Sequence, residues 1–468
     1  MKRSFRIFWA TKLILLISIS SFAQIKYQKT IKEALEKASA DKMLVFVHAG
    51  ISRWIMDMKV SRISDQPRIA NFYNKNFVNY LITSDSPEFA DYLARYQINS
   101  YPALFFLNAE GQLVFKAPRA AMSSDEFIAY GQEALDVFKS GKSLSAYEQK
   151  HKAGNLSIEE LKDYVQMRIK AGLFDNSELA DRYVESLTVG QLDNYKEVLF
   201  ILQTGPLAYG KAYKLAYTNL KITDSIYKNE PPQERIDINN RIISNTFNAA
   251  VAKKDYNMLN NLNNFIRAIH IRNYKEGSEQ ATLKSLAFYK AVNDTANYFS
   301  TASYHYDQSY MGQNVDSLRK LALKNQEARD EMNTSIKTSR TLANKKPVRT
   351  PPSGKNVTRV VTRTVTISGT NSMTANALNS IAWDFYTMGT RNKNYLTKAM
   401  HWSLRSIEID PDPAYYDTLA HIFYRMGLFD EAILNQNKAI ALLMKNPEYK
   451  KPLSDARTEL VKMQERNL

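Results

Sequence analysis

Two hydrophobic periods run along this chain of 468 residues, and they divide it. Between residues 24 and 140, short and wholly apolar runs alternate with amphipathic stretches. Beyond 140, apolar residues recur every three or four positions for long distances. In the first part, Ile31, Ala34, Leu35 and Ala38 stand at helical spacing between Thr30 and Ala38. Met43–Val47 is a continuous apolar run, as a strand buried on both faces requires. Asp65–Tyr73 reads as a helix, Phe77–Ile82 as a strand, and Pro87–Tyr96 as a helix carrying Phe89, Tyr92 and Leu93 on one face. Ala103–Leu107 and Leu113–Lys116 flank Asn108-Ala-Glu-Gly111, which reads as a hairpin turn. Ser124–Phe138 closes this part as a helix.

From 141 to 343 glycine and proline become scarce and helix signals take over. Ser157-Ile-Glu-Glu160 is a capping box ahead of Leu161, Tyr164, Val165 and Ile169, and Thr188-Val-Gly-Gln191 is a second ahead of Leu192 and Val198. Further helical segments are expected at 206–228, 232–253, 256–272, 278–292 and 314–332. Helices of this length joined by short turns predict antiparallel pairs stacked as a solenoid. His270 and His305 lie among aromatic residues without a second ligand at metal spacing, so both read as structural. Tyr298, Tyr304, Tyr306 and Tyr310 read first as helix-packing residues, with a recognition surface as the alternative.

Composition changes the picture in three places. The chain has 63 Lys and Arg against 47 Asp and Glu, a formal charge of +16. Such a balance attracts anionic polymers or membrane surfaces when it is concentrated in one patch. It is concentrated here between Met332 and Trp383, which holds no acidic residue while Lys337, Arg340, Lys345, Lys346, Arg349, Lys355, Arg359 and Arg363 all fall inside it. Its Pro/Ser/Thr-rich part, 344–375, reads as a linker or loop, since such composition builds no core. It lacks the interleaved aromatic residues that single-stranded nucleic acid favours, so no nucleic-acid partner is expected.

Residues 1–23 carry Lys2, Arg3, Arg6 and Lys12 before the apolar run that starts at Leu13, then Ser21-Phe22-Ala23. That is the make-up of a secretory signal peptide cut after Ala23, with a retained N-terminal anchor as the alternative, and it predicts a periplasmic or secreted protein with at most peripheral membrane contact. Cysteine is absent from the whole sequence, which excludes thiol-disulfide chemistry and fits an oxidising compartment. No metal site and no cofactor is expected.

The element order of residues 24–140, together with Ser100-Tyr-Pro-Ala-Leu-Phe-Phe-Leu-Asn108 and Gly111, resembles the thioredoxin fold. The resemblance implies a cis peptide at Tyr101-Pro102 and puts the family's redox motif on Ser52-Arg53-Trp54-Ile55. Ser52 reads as a helix N-cap, because a serine hydroxyl lacks thiolate acidity and Ile55 cannot resolve a mixed disulfide. The resemblance implies an extended peptide groove beside Tyr101 and Pro102, with Arg53 and Trp54 around it; the alternative is that Trp54 packs within its own domain and Pro102 only shapes the loop.

In 376–468, Tyr416-x-x-Leu-Ala420-x-x-Phe-x-x-x-Gly427-x-Phe-x-x-Ala432 resembles the tetratricopeptide pattern. Leu378-x-x-Ile-Ala382-x-x-Phe-x-x-x-Gly389 repeats its first half, with a longer turn before Ala399. Gln436 departs from the pattern, standing where an aromatic residue is usual. The resemblance implies a concave face on the first helix of each repeat, with Asp417, His421, Tyr424 and Arg425 turned to a peptide.

The expected architecture is therefore an α/β thioredoxin-like domain at 24–140 followed by an all-α helical-repeat region at 141–343 and 376–468. The expected function is an exported, non-enzymatic interaction or scaffold protein that holds a protein or peptide partner. The alternatives are an envelope enzyme using an unrecognised site in the cleft, helped by His48 and Ser52, or a binder of anionic polymers or surfaces.

Overall fold

The computed structural model describes residues 24–50, 64, 66–98, 101–324, 327, 373–445 and 450–468. The chain divides into two compact units, Met1–Phe265 and Ile266–Leu468.

The first unit opens with a five-stranded mixed sheet in the order β1-β3-β2-β4-β5. Its elements are β1 (Tyr27–Gln28), α1 (Ile31–Asp41), β2 (Leu44–Gly50), α2 (Pro67–Asn76), β3 (Phe77–Thr83), α3 (Phe89–Arg95), β4 (Ala103–Leu107), β5 (Leu113–Lys116) and α4 (Ser124–Ser140). β3 runs parallel to β1 and β2, while β4 runs antiparallel to both β2 and β5. Side chains alternate across a strand, so β2 feeds two cores. Leu44 and Phe46 join Ile69, Tyr73, Phe106 and Phe127 beneath α2 and α4. Val45, Val47 and Ala49 join Ala34, Ala38, Tyr80, Tyr92 and Phe105 beneath α1 and α3. Both faces are covered, which is why β2 reads as an unbroken apolar run. Two of the helices start at side-chain caps: Thr30 accepts the Glu33 amide at 3.1 Å, and Ser123 accepts the Glu126 amide at 3.2 Å.

Helices α5 (Leu144–Lys152), α6 (Ile158–Lys170), α7 (Ser177–Glu185), α8 (Tyr195–Gln203), α9 (Lys211–Ala216), α10 (Leu220–Asn229) and α11 (Pro232–Lys253) follow. The Ser157 capping box starts α6. The Thr188 box starts only a short 3-10 turn, Val189–Asp193, and α8 begins anew at Asn194, whose side chain accepts the Lys196 and Glu197 amides. The single helix expected at 206–228 is two helices, because Asn219 caps α10 through the Ile222 amide. α12 (Tyr256–Ile269) follows α11, and the division between the units falls within it.

The second unit contains α13 (Tyr274–Ala291), α14 (Thr295–Tyr306), a π turn at Asp307–Met311 and a helical stretch over 315–324. α13 begins four residues before its expected start because Asn273 caps it through the Glu276 amide. After the undescribed segment come α15 (Met373–Thr387), α16 (Lys393–Ile409), α17 (Pro413–Met426), α18 (Phe429–Leu443) and α19 (Lys450–Gln464). Each of these five packs on the next, and α15 also touches α17, the arrangement of stacked helical hairpins. Ala382, Ala399, Ala420, Ala432 and Ala439 are wholly buried and let the helix backbones approach. Trp402 is wholly buried among Phe385, Phe299 and Tyr306, and its indole N–H donates to Asp307 Oδ1 at 2.9 Å. Of the tyrosine run, Tyr298 and Tyr306 are core residues, Tyr310 is half-buried and Tyr304 is exposed. Tyr298 donates to Asp384 Oδ2 at 2.6 Å.

Candidate functional site

Four helices of the second unit enclose a cavity of about 520 Å³. α15 contributes Trp383 and Tyr386, three residues apart on one face. α17 contributes Pro413, Ala414, Asp417 and His421, again at one-turn spacing. α18 closes the apolar side with Ala439 and Leu443, and α19 lays Pro452, Asp455, Ala456 and Glu459 across the opening. Helical periodicity explains the set: positions three, four and seven apart share one face, so each helix presents a single stripe.

The geometry centres on His421, whose side chain is 6% exposed. Its ring meets Trp383 edge-on at 5.3 Å and Tyr386 at 5.1 Å, while the two aromatic rings stack on each other at 5.1 Å. His421 Nδ1 lies 2.8 Å from the backbone carbonyl of Asp417, so Nδ1 carries the proton and donates. In the neutral imidazole Nε2 is then an acceptor. It faces Glu459 Oε2 at 3.6 Å, with no hydrogen bond of its own among the described residues. Asp417 Oδ2 stands 3.5 Å from Nδ1, and Asp417 Oδ1 accepts the Gln436 amide at 2.9 Å. Gln436, the departure from the aromatic pattern, is wholly buried and also donates to the Ala456 carbonyl at 3.1 Å, tying α18 to α19 behind the cavity.

Two of the four residues projected onto this face line the cavity, Asp417 and His421. Tyr424 and Arg425 lie outside its lining. Tyr424 accepts the Leu468 amide at 3.1 Å and packs edge-on against Phe429. Arg425 lays its guanidinium 3.8 Å from the Tyr386 ring centre and donates to the Tyr386 carbonyl. Trp383 and Tyr386 were readable in the repeat register, since they stand 38 residues before His421 and Tyr424 in the matching helix. Asp455 and Glu459 belong to α19, which lies outside that pattern, and no sequence signal assigned them to the cavity.

In the first unit, Ser52, Arg53, Trp54 and Ile55 lie outside the described residues. The Tyr101-Pro102 peptide is cis. Tyr101 stacks on Phe89 at 5.7 Å. Pro102 borders a hollow of about 140 Å³ with Lys116, Pro118, Ala171 and Phe174. Lys116 is buried and donates to the carbonyls of Tyr96 at 3.2 Å and Gln97 at 2.7 Å, closing the end of α3. Burial pulls its amine down to about 8. His48, weighed as a partner for Ser52, is buried within the sheet, with Nδ1 3.2 Å from the Tyr27 hydroxyl and Nε2 unpartnered among the described residues. Burial lowers it to about 4, so it stays neutral and shut away from solvent. Among the described residues no group of His, Asp and Glu has the arrangement to hold a metal ion, and no helix is long and apolar enough to cross a membrane.

No family model matches the chain, and no curated protein matches it. One solved structure to which it is similar is a crystal structure of the P58(IPK) TPR domain. The match covers 73% of this chain and 94% of that one, at 13% identity and a TM-score of 0.15. At that score the likeness carries no weight, and the helical-hairpin description rests on the helix order and packing given above.

Proposed function

We propose that the chain is an exported, non-enzymatic interaction protein whose C-terminal helical hairpins hold a segment of a protein partner. The observation that carries the reading is the cavity on α15 and α17, the first helices of two successive hairpins in tetratricopeptide-like register. A cleft of this volume with a few convergent polar groups in an apolar lining is the usual form of a recognition site. The histidine is flanked by carboxylates and aromatic rings, with no serine, threonine or lysine in the lining.

The N-terminal α/β region is proposed to be a redox-inactive thioredoxin-like domain serving as a second docking surface. Support comes from the strand order, from the helix pair on each face of the sheet, from the cis Tyr101-Pro102 peptide and from the absence of cysteine. Export is supported by the charge and hydrophobic pattern of residues 1–23.

The test is chemical cross-linking in the envelope fraction followed by affinity capture of the full chain. One discrete protein retained over an unrelated exported control supports the reading. Capture of none, with the chain folded and abundant, contradicts it.

A further inference from the structure

We propose that the cavity formed by Trp383, Tyr386, Asp417, His421, Asp455 and Glu459 receives a lysine or arginine side chain from an extended segment of the partner. The proposal rests on the interaction reading and adds the chemistry of what is held.

Charge is the first argument. The chain carries +16, yet the cavity lining contains three carboxylates and neither lysine nor arginine. Asp455 has no hydrogen bond or ion pair among the described residues. Glu459 pairs through Oε1 with Lys462 at 2.7 Å, which leaves Oε2 turned to His421. Asp417 keeps Oδ2 beyond its bond to Gln436. A local reversal of sign in a basic protein favours a cationic ligand and disfavours an anionic one.

Hydrogen-bond accounting is the second and independent argument. With Nδ1 donating to the Asp417 carbonyl, His421 Nε2 stands 3.6 Å from Glu459 Oε2. The His421 side chain is more than nine-tenths buried, while that of Glu459 is 27% exposed. Glu459 Oε2 and Asp417 Oδ2 are carboxylate acceptors beside it, and an ammonium or guanidinium group supplies several N–H bonds at once.

Shape is the third. Trp383, Tyr386, Pro413, Leu443 and Pro452 line a path for an aliphatic stem, with the Arg425 guanidinium already seated on the Tyr386 ring. A long basic side chain has this division between apolar stem and charged tip.

The experiment is fluorescence anisotropy on the full chain with labelled, end-capped tripeptides centred on lysine, arginine, leucine or glutamate. The lysine and arginine probes are expected to bind, weakening several-fold between about 50 and about 300 mM salt as the Debye length shrinks. Asp455→Asn and Glu459→Gln are each expected to weaken them about tenfold, as the loss of a charge-assisted bond does. Asp455 is exposed, so its variant keeps the test readable if Glu459→Gln unfolds. Equal or tighter binding of the leucine or glutamate probe overturns the proposal, as does basic-probe binding that both variants leave unchanged. Tighter probe binding after Lys345, Lys346 and Arg349 are replaced by serine would show that the chain's own basic segment occupies the cavity, and would overturn assignment to a partner. If the basic probes fail while the full chain still captures a protein, the cation assignment falls and the interaction reading stands.

Discussion

His48 gives the sharpest pH test of the fold. It sits on β2 at 1% exposure, with Phe46 at 6.0 Å and Phe127 at 6.2 Å, and no acidic side chain pairs with it among the described residues. Burial lowers its pKa from 6.5 to about 4. A depressed histidine binds its proton more readily in the unfolded chain, so the fold loses stability as pH falls from 6.5 toward 4 and loses no more below that. The whole difference corresponds to about 3 kcal/mol, most of it already lost at pH 4.5. His48→Leu removes the proton and keeps an apolar group of similar bulk. Denaturant unfolding at pH 7.5 and 4.5, followed by exchange labelling of the β2 segment, reads the difference. Carboxylates titrate in both proteins, so the variant's gain over the wild type between the two pH values isolates the imidazole. The expected relative gain is on the order of 2 to 3 kcal/mol. Parallel pH profiles for the two proteins would refute the claim that His48 is held neutral by burial.

Two further substitutions probe packing. Trp402→Ala empties the centre of the second unit and removes one partner of Asp307, which keeps Lys398, so its thermal unfolding should move down by the equivalent of about 3–5 kcal/mol; a change under about 1 kcal/mol would contradict the burial described. Gly205 has φ +71°, and a Cβ there would meet Arg241 Cβ at 2.7 Å and Asn245 Nδ2 at 2.8 Å. Gly205→Ala should therefore cost about 2 kcal/mol or more in the first unit, whereas an unchanged melting profile would show that α11 gives way.

Much of the fold was legible because local signals and tertiary packing agree. The strands at 44–50, 103–107 and 113–116 are built mainly from apolar residues, as is most of 77–83, and side-chain caps at Thr30, Ser123 and Ser157 mark helix starts. Helices Leu144–Lys152 and Ser177–Glu185 were not anticipated, and several boundary errors fall where asparagine does the capping. Asn194, Asn219 and Asn273 each open a helix through a backbone amide, but asparagine is equally at home inside a loop, so residue identity alone marks no boundary there. For the site, the repeat register singled out Asp417 and His421, and the same register one hairpin earlier contains Trp383 and Tyr386. Asp455 and Glu459 were invisible because nothing local to α19 reveals which neighbour it crosses. Tyr424 and Arg425 share the helix face with His421 but are committed to Leu468 and Tyr386, contacts that only the packed structure discloses.

The measurement that tests the central claim most directly is affinity capture of the cross-linked full chain from its own envelope, run beside Asp455→Asn. The account predicts one discrete protein partner whose cross-links map to α15, α17 or α19 and whose yield falls in the variant. Absence of any partner, or a partner whose cross-links all map elsewhere and whose yield is untouched, would contradict it.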